Sequence, residues 1–401
     1  MAAVSSAAIG FFVPVGSRDE APEVAGAAHC LEHLLFKGTV GRSAGEFAEA
    51  FDAVGGDANA YTTKEYTAFY ARLLAEHAGL GLELLADLLT EPLLAASDLD
   101  AERQVILEEL AAHDDEPADV CAELLANLLY PDHPLGRDPL GTRESIEGID
   151  APTLRQFFEA RYRSAGMVVA LAGQVDVDAA CAHLSALPAR LGLQAPLRHA
   201  PSAPASKVAV LRRRGEQVHL GLAWRSVDRH DPARYAASVY THLLGGGLSS
   251  RLFQEVRERR GLAYAIGADR EAWGDAGAMQ ISVATGPDQV AEVVEVCLAT
   301  VDAIGRDGPT EREVDIARSN LRAEVLLSHE DSGSRMHRLG AGVLLHGAAR
   351  PIEETLAGIE AVDLDAVGNF AASITSADAV LAAVGPTTVT ACRAALQRRT
   401  R

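Results

Sequence analysis

His29-Cys30-Leu31-Glu32-His33, inside GAAHCLEHLLFKGT (residues 26–39), is the stretch from which the rest of the chain can be read. A helix is predicted over it, from about Glu23 to Phe36. His29 and His33 are four apart, so on a helix they stand one above the other on one face. Two imidazoles at that spacing can share one metal ion. Glu32 precedes the second histidine and points to nearly the same side. A carboxylate there can take a proton from a metal-bound water. Neutral imidazoles leave zinc its positive charge, which lowers the pKa of a bound water to about 7 and polarises a carbonyl. Catalytic zinc usually takes three protein ligands and keeps one position open, so a third ligand is needed from elsewhere. Cys30 is a further donor inside the motif, but helix geometry turns it about 100° from His29, which reads as packing.

The third ligand is sought in DLDAERQVILEELAAHDDEP (98–117). This segment reads as a helix, with Val105, Ile106, Leu107 and Leu110 among charged positions. Glu102 and Glu109 are seven apart, two turns, on one face. Glu109 is placed on the metal, and Glu102 beside it as an auxiliary carboxylate. Glu108 competes locally, although it points about 100° away from Glu109.

The order H-x-x-E-H inverts the H-E-x-x-H zinc signature. HCLEHLLFKGT followed by ERQVILEEL resembles the insulinase / pitrilysin / mitochondrial processing peptidase family of zinc peptidases, in its short bacterial processing-peptidase-like branch. The resemblance runs over nearly the whole chain. It implies His29, His33 and Glu109 as zinc ligands and Glu32 as general base, and the 76 positions from His33 to Glu109 fit the family pattern. It also implies that the strand in DANAYTTKEY lies beside the zinc and pairs with the substrate backbone, through Asn59, Ala60 and Tyr61.

At 401 residues and 48% hydrophobic content the chain is globular, with room for two to three ordinary domains. No apolar run reaches the ~18–20 residues of a membrane span. MAAVSSAAIGFFVPVGS has no basic segment and is broken by Pro14 and Gly16, so a strand near 7–15 is expected rather than a signal peptide. Cys30, Cys121, Cys181, Cys297 and Cys392 form no framework and suit a reducing, cytoplasmic setting. A net charge of −20 argues against nucleic acid or an anionic membrane as partner. It favours basic peptides if the acidic groups line a cavity, and is otherwise a solvated surface.

Further along, Ser43 and Glu46 make a capping box for a helix ended by Gly55–Gly56. Helices are expected at about 75–91, 99–113, up to Leu129, 151–162 and 176–191, with a buried strand at MVVALAG. LQAPLRHAPSAPAS (193–206) reads as a linker. The expected organisation is a catalytic, zinc-binding domain over 1–192, the linker, and a homologous domain without metal over 207–401 that contributes substrate-binding residues.

That homology is visible as a repeat. A shift of 209 sets His33-Leu-Leu-Phe-Lys-Gly over His242-Leu-Leu-Gly-Gly-Gly, residues 9–13 over Val218–Leu222, and Glu102-Arg103 over Glu311-Arg312. Two copies of one α+β unit follow, each with helices packed on a mainly antiparallel sheet. At the same offset His29 becomes Ser238, Glu32 becomes Thr241 and Glu109 becomes Arg318, so one zinc per chain is expected. The second copy opens with a strand at KVAVLRR (207–213) whose counterpart falls at or before Met1. The first copy is therefore expected to lack its opening strand, through a start site set too late or a natural truncation, leaving a sheet edge open.

In GGGLSSRLFQEVRERRGLAYAIGA, Arg257 and Tyr264 match a family pair that reaches the substrate at the zinc, where a tyrosine can donate to a carbonyl oxygen as charge develops. The resemblance further implies two halves closing like a clamshell, and a homodimer or a pairing with a related subunit. The expected activity is a zinc metalloendopeptidase acting on unfolded peptides or presequence-like segments bound as an added strand. The alternative is a non-catalytic scaffold or partner subunit of a processing-peptidase-like complex. That alternative predicts broken ligand sets, and the first half has a complete one.

Overall fold

The computed structural model describes residues 4–163, 166–186, 197–204 and 206–397. The first half runs β1 (Ser6–Val13), α1 (Ala27–Leu35), α2 (Ala44–Asp52), β2 (Asp57–Thr62), β3 (Thr67–Leu74), α3 (Ala78–Thr90), α4 (Ala96–Asp115), α5 (Pro117–Leu129), α6 (Arg143–Gly148), α7 (Ala151–Phe157), β4 (Val168–Gly173) and α8 (Val177–Ala186). The second runs β5 (Val208–Arg212), β6 (Val218–Ser226), α9 (Arg234–Gly245), β7 (Ala263–Ala272), β8 (Gly277–Thr285), α10 (Val290–Asp307), α11 (Glu311–Glu330), α12 (Ser332–His346), α13 (Ile352–Glu360), α14 (Leu364–Ser376), β9 (Val380–Gly385) and α15 (Val389–Gln397). The fold is α+β, in two repeated halves. The expected linker falls partly on residues 193–196 and 205, and the expected helix near 176–191 partly on 187–191, which lie outside the described residues.

β1 carries no charge and is buried along nearly its whole length, as a strand covered on both faces must be. It pairs antiparallel with β3, setting Phe11 against Phe69, and with β4, setting Ile9 against Leu171. The order is β2-β3-β1-β4, so β2 and β4 are the edges. MVVALAG is therefore a partly covered edge strand rather than a buried one. The second sheet has the order β5-β9-β6-β8-β7, antiparallel except where β5 runs parallel to β9. β5 covers the outer edge of β9, whereas the matching edge of β4, the counterpart of β9, has no further strand among the described residues.

Alternation along the strands divides the first sheet into two faces. Ile9, Phe11, Val13, Ala60, Phe69 and Ala71 enter a core with Leu31, Leu34 and Leu35 of α1 and Leu85 and Leu88 of α3. Ala8, Phe12, Ala68, Ala170 and Ala172 face the other way, against Met336 of α12. Small residues let that helix come close. A Cβ on Gly10 would lie 2.2 Å from the Met336 sulfur, and one on Gly340 would lie 2.0 Å from the Phe12 ring. α5 does the same on the second sheet, where a Cβ on Gly221 would lie 2.8 Å from Leu125. The chain thus exchanges helices. Ala112–Gly136 packs with the C-terminal sheet, and Leu326–Arg350 with the N-terminal one.

Candidate metal centre and active site

α1 begins at Ala27, four residues later than the sequence pattern suggests. Gly26 stops the helix from starting earlier, because it sits at φ +91°, in the left-handed region. A Cβ there would lie 2.6 Å from Ile146 and 2.7 Å from the Leu140 carbonyl oxygen. Glycine has no side chain to cap the helix, and Glu20 does so instead. Its Oε2 accepts from the Gly26 amide at 2.8 Å and its Oε1 from the Ala28 amide at 2.7 Å. Burial pushes the Glu20 carboxyl up, opposed by those two amides and by Arg137. Ala27, Ala28, Cys30, Leu31, Leu34 and Leu35 are buried and seat the helix, which leaves His29, Glu32 and His33 on its open side. Cys30 is a neutral thiol in the core, pushed up to about 12 by burial.

α4 brings Glu109 to the two histidines. Its Oε2 lies 3.6 Å from His29 Nε2 and 3.6 Å from His33 Nε2. The donor atoms of the three residues all lie within 4.8 Å of one another, and they are the metal-capable group found among the described residues. Zinc bonds of about 2.0–2.2 Å at tetrahedral angles set ligand atoms roughly 3.4 Å apart, so the set fits a zinc ion. Glu108, the competing carboxylate, is exposed and outside the group. Burial, with the nearby charge of His33, pushes His29 down to about 4. It is therefore neutral near pH 7, the form that ligates a metal.

His33 is oriented from behind. Its Nδ1 lies 2.9 Å from Glu102 Oε2, whose other oxygen meets Lys37 Nζ at 2.6 Å. Burial works to raise the Glu102 carboxyl, but the hydrogen bonds from Lys37 and His33 outweigh it and hold it below the usual carboxylate range. An ionised Glu102 fixes the proton on Nδ1 and turns the Nε2 lone pair toward Glu109. Glu32 accepts a 2.6 Å hydrogen bond from Thr62 Oγ1 on its Oε2. Burial raises its carboxyl above the ordinary value, while Thr62 and His33 restrain the rise and Glu109 adds to it.

β2 reaches this site by Thr62 rather than by the side chains of Asn59 or Tyr61. Ala60 and Thr62 share a face, and Ala60 is buried in the core with α1. Asn59 Oδ1 accepts from the Ala60 amide, and Tyr61 lies on the opposite face, 3.2 Å from both the Tyr66 hydroxyl and His337 Nδ1. Thr62, Lys37 and Glu20 were not singled out from the sequence. Thr62 was legible, since period-two alternation from Ala60 puts it on the same side.

Arg257 and Tyr264 belong to the other compact unit. The Arg257 guanidinium stacks 4.7 Å from the Phe253 ring centre and 4.6 Å from that of Tyr264, which is 79% exposed. They border a groove of about 460 Å³ whose walls include Cys121 and Leu125 of α5 and Gly221 of β6.

The second half's counterpart of the site corrects one expectation. α4 and α11 correspond at a shift of 215 at both ends (96 to 311, 115 to 330), six more than the offset of the motif. Glu109 therefore falls on Glu324, not Arg318. Glu324 acts electrostatically on His242, which burial pushes below its ordinary value. Ser238 and Thr241 stand where His29 and Glu32 would, and their hydroxyls donate to their own helix, to Arg234 O and Ala237 O.

Comparison with known proteins agrees with this geometry. Residues 2–143 match the insulinase (peptidase family M16) domain, and residues 148–321 the peptidase M16 inactive domain. A Mycobacterium tuberculosis protein, named as an uncharacterized zinc protease, is 42% identical over 96% of this chain and 89% of its own length. The chain belongs to the insulinase family, peptidase M16. Another relative of that kind, an uncharacterized zinc protease of Bacillus subtilis, is 35% identical over 96% of this chain and 94% of its own. Two solved structures share the M16 fold. A Pseudomonas fluorescens peptidase M16 inactive domain has a TM-score of 0.87 at 23% identity, covering 96% of this chain and 94% of its own. A Helicobacter pylori protease has a TM-score of 0.86 at 21% identity, covering 95% and 94%. No helix among the described residues is long and apolar enough to cross a membrane.

Proposed function

We propose that this M16 chain is a zinc-dependent metalloendopeptidase with one zinc per chain, held by His29, His33 and Glu109. The observation that carries the reading is Glu109 Oε2 at 3.6 Å from the Nε2 of both histidines, with Glu32 tethered beside them. A bound zinc polarises a peptide carbonyl and lowers the pKa of a water. Thr62 engages Glu32 Oε2, so Oε1 is the oxygen that takes the proton from the attacking water and returns it to the leaving amine. The raised Glu32 carboxyl suits this exchange, because a stronger base accepts the proton more readily.

The substrate is an extended peptide, unfolded or presequence-like, added as a strand along the open edge of β2. Asn59, Ala60 and Tyr61 then contribute main-chain groups. Arg257 serves as a substrate-binding residue and Tyr264 as a catalytic donor to the carbonyl oxygen as charge develops there, a role that the exposure of its ring supports. A homodimer or a pairing with a related subunit fits the processing-peptidase branch. Five free cysteines suit a cytoplasmic location.

The test is cleavage of a quenched fluorescent basic peptide, with metal content measured by mass spectrometry, for wild type and Glu32→Gln. The expected result is about one zinc in each protein and cleavage by the wild type alone. Zinc binding without cleavage would point to a missing partner subunit. A wild type that binds no metal would establish the scaffold reading.

A further inference from the structure

We infer that Glu20 is a positioning residue of the metal centre: its carboxylate clamps the first turn of α1 and so aims His29. The inference rests on the metallopeptidase reading of that centre.

The two histidines are supported differently. His33 is fixed by its own ring, through Nδ1 to Glu102. His29 Nδ1 is buried and has no hydrogen-bond partner among the described residues. Among the described residues no hydrogen bond holds the His29 ring from behind, and Asp138 acts on it only electrostatically, so its aim is set chiefly by the backbone that carries it. His29 is the third residue of α1, within the turn whose amides lack intrahelical partners. Glu20 takes two of those amides, one on each oxygen, from a buried position nine residues upstream.

The clamp is itself anchored. Arg137 Nη2 donates to the Glu20 carbonyl oxygen at 2.7 Å, and Ser145 Oγ donates to the Ala25 carbonyl oxygen at 2.7 Å, just before the turn. The helix entry is thereby held from both sides, with Glu20 supplying the bidentate contact. Metal sites tolerate ligand displacements of only about 0.2 Å, so a loosened first turn lowers affinity directly. Burial favours the neutral acid, but each Glu20 oxygen faces an amide donor, and those amides with Arg137 favour the ionised form, in which both oxygens accept. A glutamine keeps one acceptor and turns an NH2 toward the second amide, setting donor against donor.

The experiment uses the full chain. Zinc affinity is read by competition with a chromophoric chelator, ligand geometry by the absorption of the cobalt-substituted protein, and fold by the Tm of the metal-free form. Glu20→Gln is compared with Leu88→Val, a change in the same core on α3, away from the turn. We expect Glu20→Gln to weaken zinc binding about 10- to 100-fold and to alter the cobalt spectrum. Leu88→Val should lower Tm while leaving zinc affinity within about twofold. Ser145→Ala loosens the same turn from its other side and should weaken zinc several-fold. It reads the inference if Glu20→Gln does not fold. Wild-type affinity and an unchanged cobalt spectrum in Glu20→Gln would overturn the inference alone, as would zinc loss in Leu88→Val in proportion to its Tm. A wild type that binds no zinc overturns the metallopeptidase reading and this inference with it.

Discussion

The first-half site and its second-half counterpart use the same two helices to different ends. In the first half, α1 and α4 bring two imidazoles and a carboxylate within 4.8 Å. In the second, α9 and α11 retain one histidine and one glutamate, His242 and Glu324. The remaining donors have become Ser238 and Thr241, whose hydroxyls are spent on helix carbonyls. The support has gone as well. At the shift of 215 Glu102 falls on Ala317, a buried apolar residue. Lys37 falls on Gly246 at the shift of 209, and a Cβ there would lie 2.7 Å from His242 Nδ1. The scaffold brings helices together; a metal centre also requires the donors and the groups that orient them.

The sharpest way to break this comparison is to make the first half chemically resemble the second at one atom. Glu32→Gln removes the base and leaves its size and the Thr62 contact available. Turnover of a fluorogenic peptide should fall by about a thousandfold or more, with zinc content unchanged. Retained turnover would move the base elsewhere.

A second change acts on the histidine itself. In the metal-free protein, His29 in the fold stays neutral down to about 4, whereas an unfolded chain protonates it near the ordinary 6.5. The unfolded state thus binds more protons between those values. Stability is complete above pH 6.5 and is lost as pH falls toward 4, by up to about 3 kcal/mol. Urea denaturation of the metal-free protein across that range should show the slope, and His29→Asn should flatten it. An equal slope in both would mean the loss has another source.

Third, Glu102→Ala copies the second half's Ala317 into the first. Zinc affinity should fall about 10- to 100-fold, the usual cost of losing an outer partner of a ligating histidine. Chelator competition reads it. Lys37→Met should show a smaller loss, since it leaves Glu102 in place.

Much of this could be read in the chain, and the parts that could not share a cause. The i, i+4 histidines, the seven-residue step from Glu102 to Glu109 and the Ser43–Glu46 capping box are local patterns, and local geometry carries them into the fold. α1 starts later than its pattern predicts because Gly26 takes a left-handed turn and Glu20 caps from outside the helix, a contact with no fixed spacing. The shift of 215 was hidden because six residues enter the second copy between the motif and α11, while the single match of Glu102-Arg103 with Glu311-Arg312 favoured 209. The exchange of α5 and α12 was invisible for a related reason. An amphipathic helix shows that it covers something, and its pattern does not say which sheet. Gly10, Gly221 and Gly340 record the answer, but only once the partner helix is beside them.

The smallest expected effect tests the tether on Glu32. Thr62 donates to one carboxylate oxygen and so favours the ionised form that the base must adopt. Removing the hydroxyl in Thr62→Val leaves burial, the larger influence, less opposed, and the Glu32 carboxyl should rise further. The acid limb of kcat/KM against pH should then move to higher pH, with activity several-fold lower on that limb and close to wild type on the plateau. Zinc affinity should not change, because the Thr62 hydroxyl bonds Glu32 and not one of the ligands. This separates proton chemistry from metal binding inside one site. If Thr62→Val lowers activity equally at every pH, the hydroxyl orients Glu32 without tuning it. If zinc affinity falls too, the strand and the metal helix are coupled through more than this one hydrogen bond.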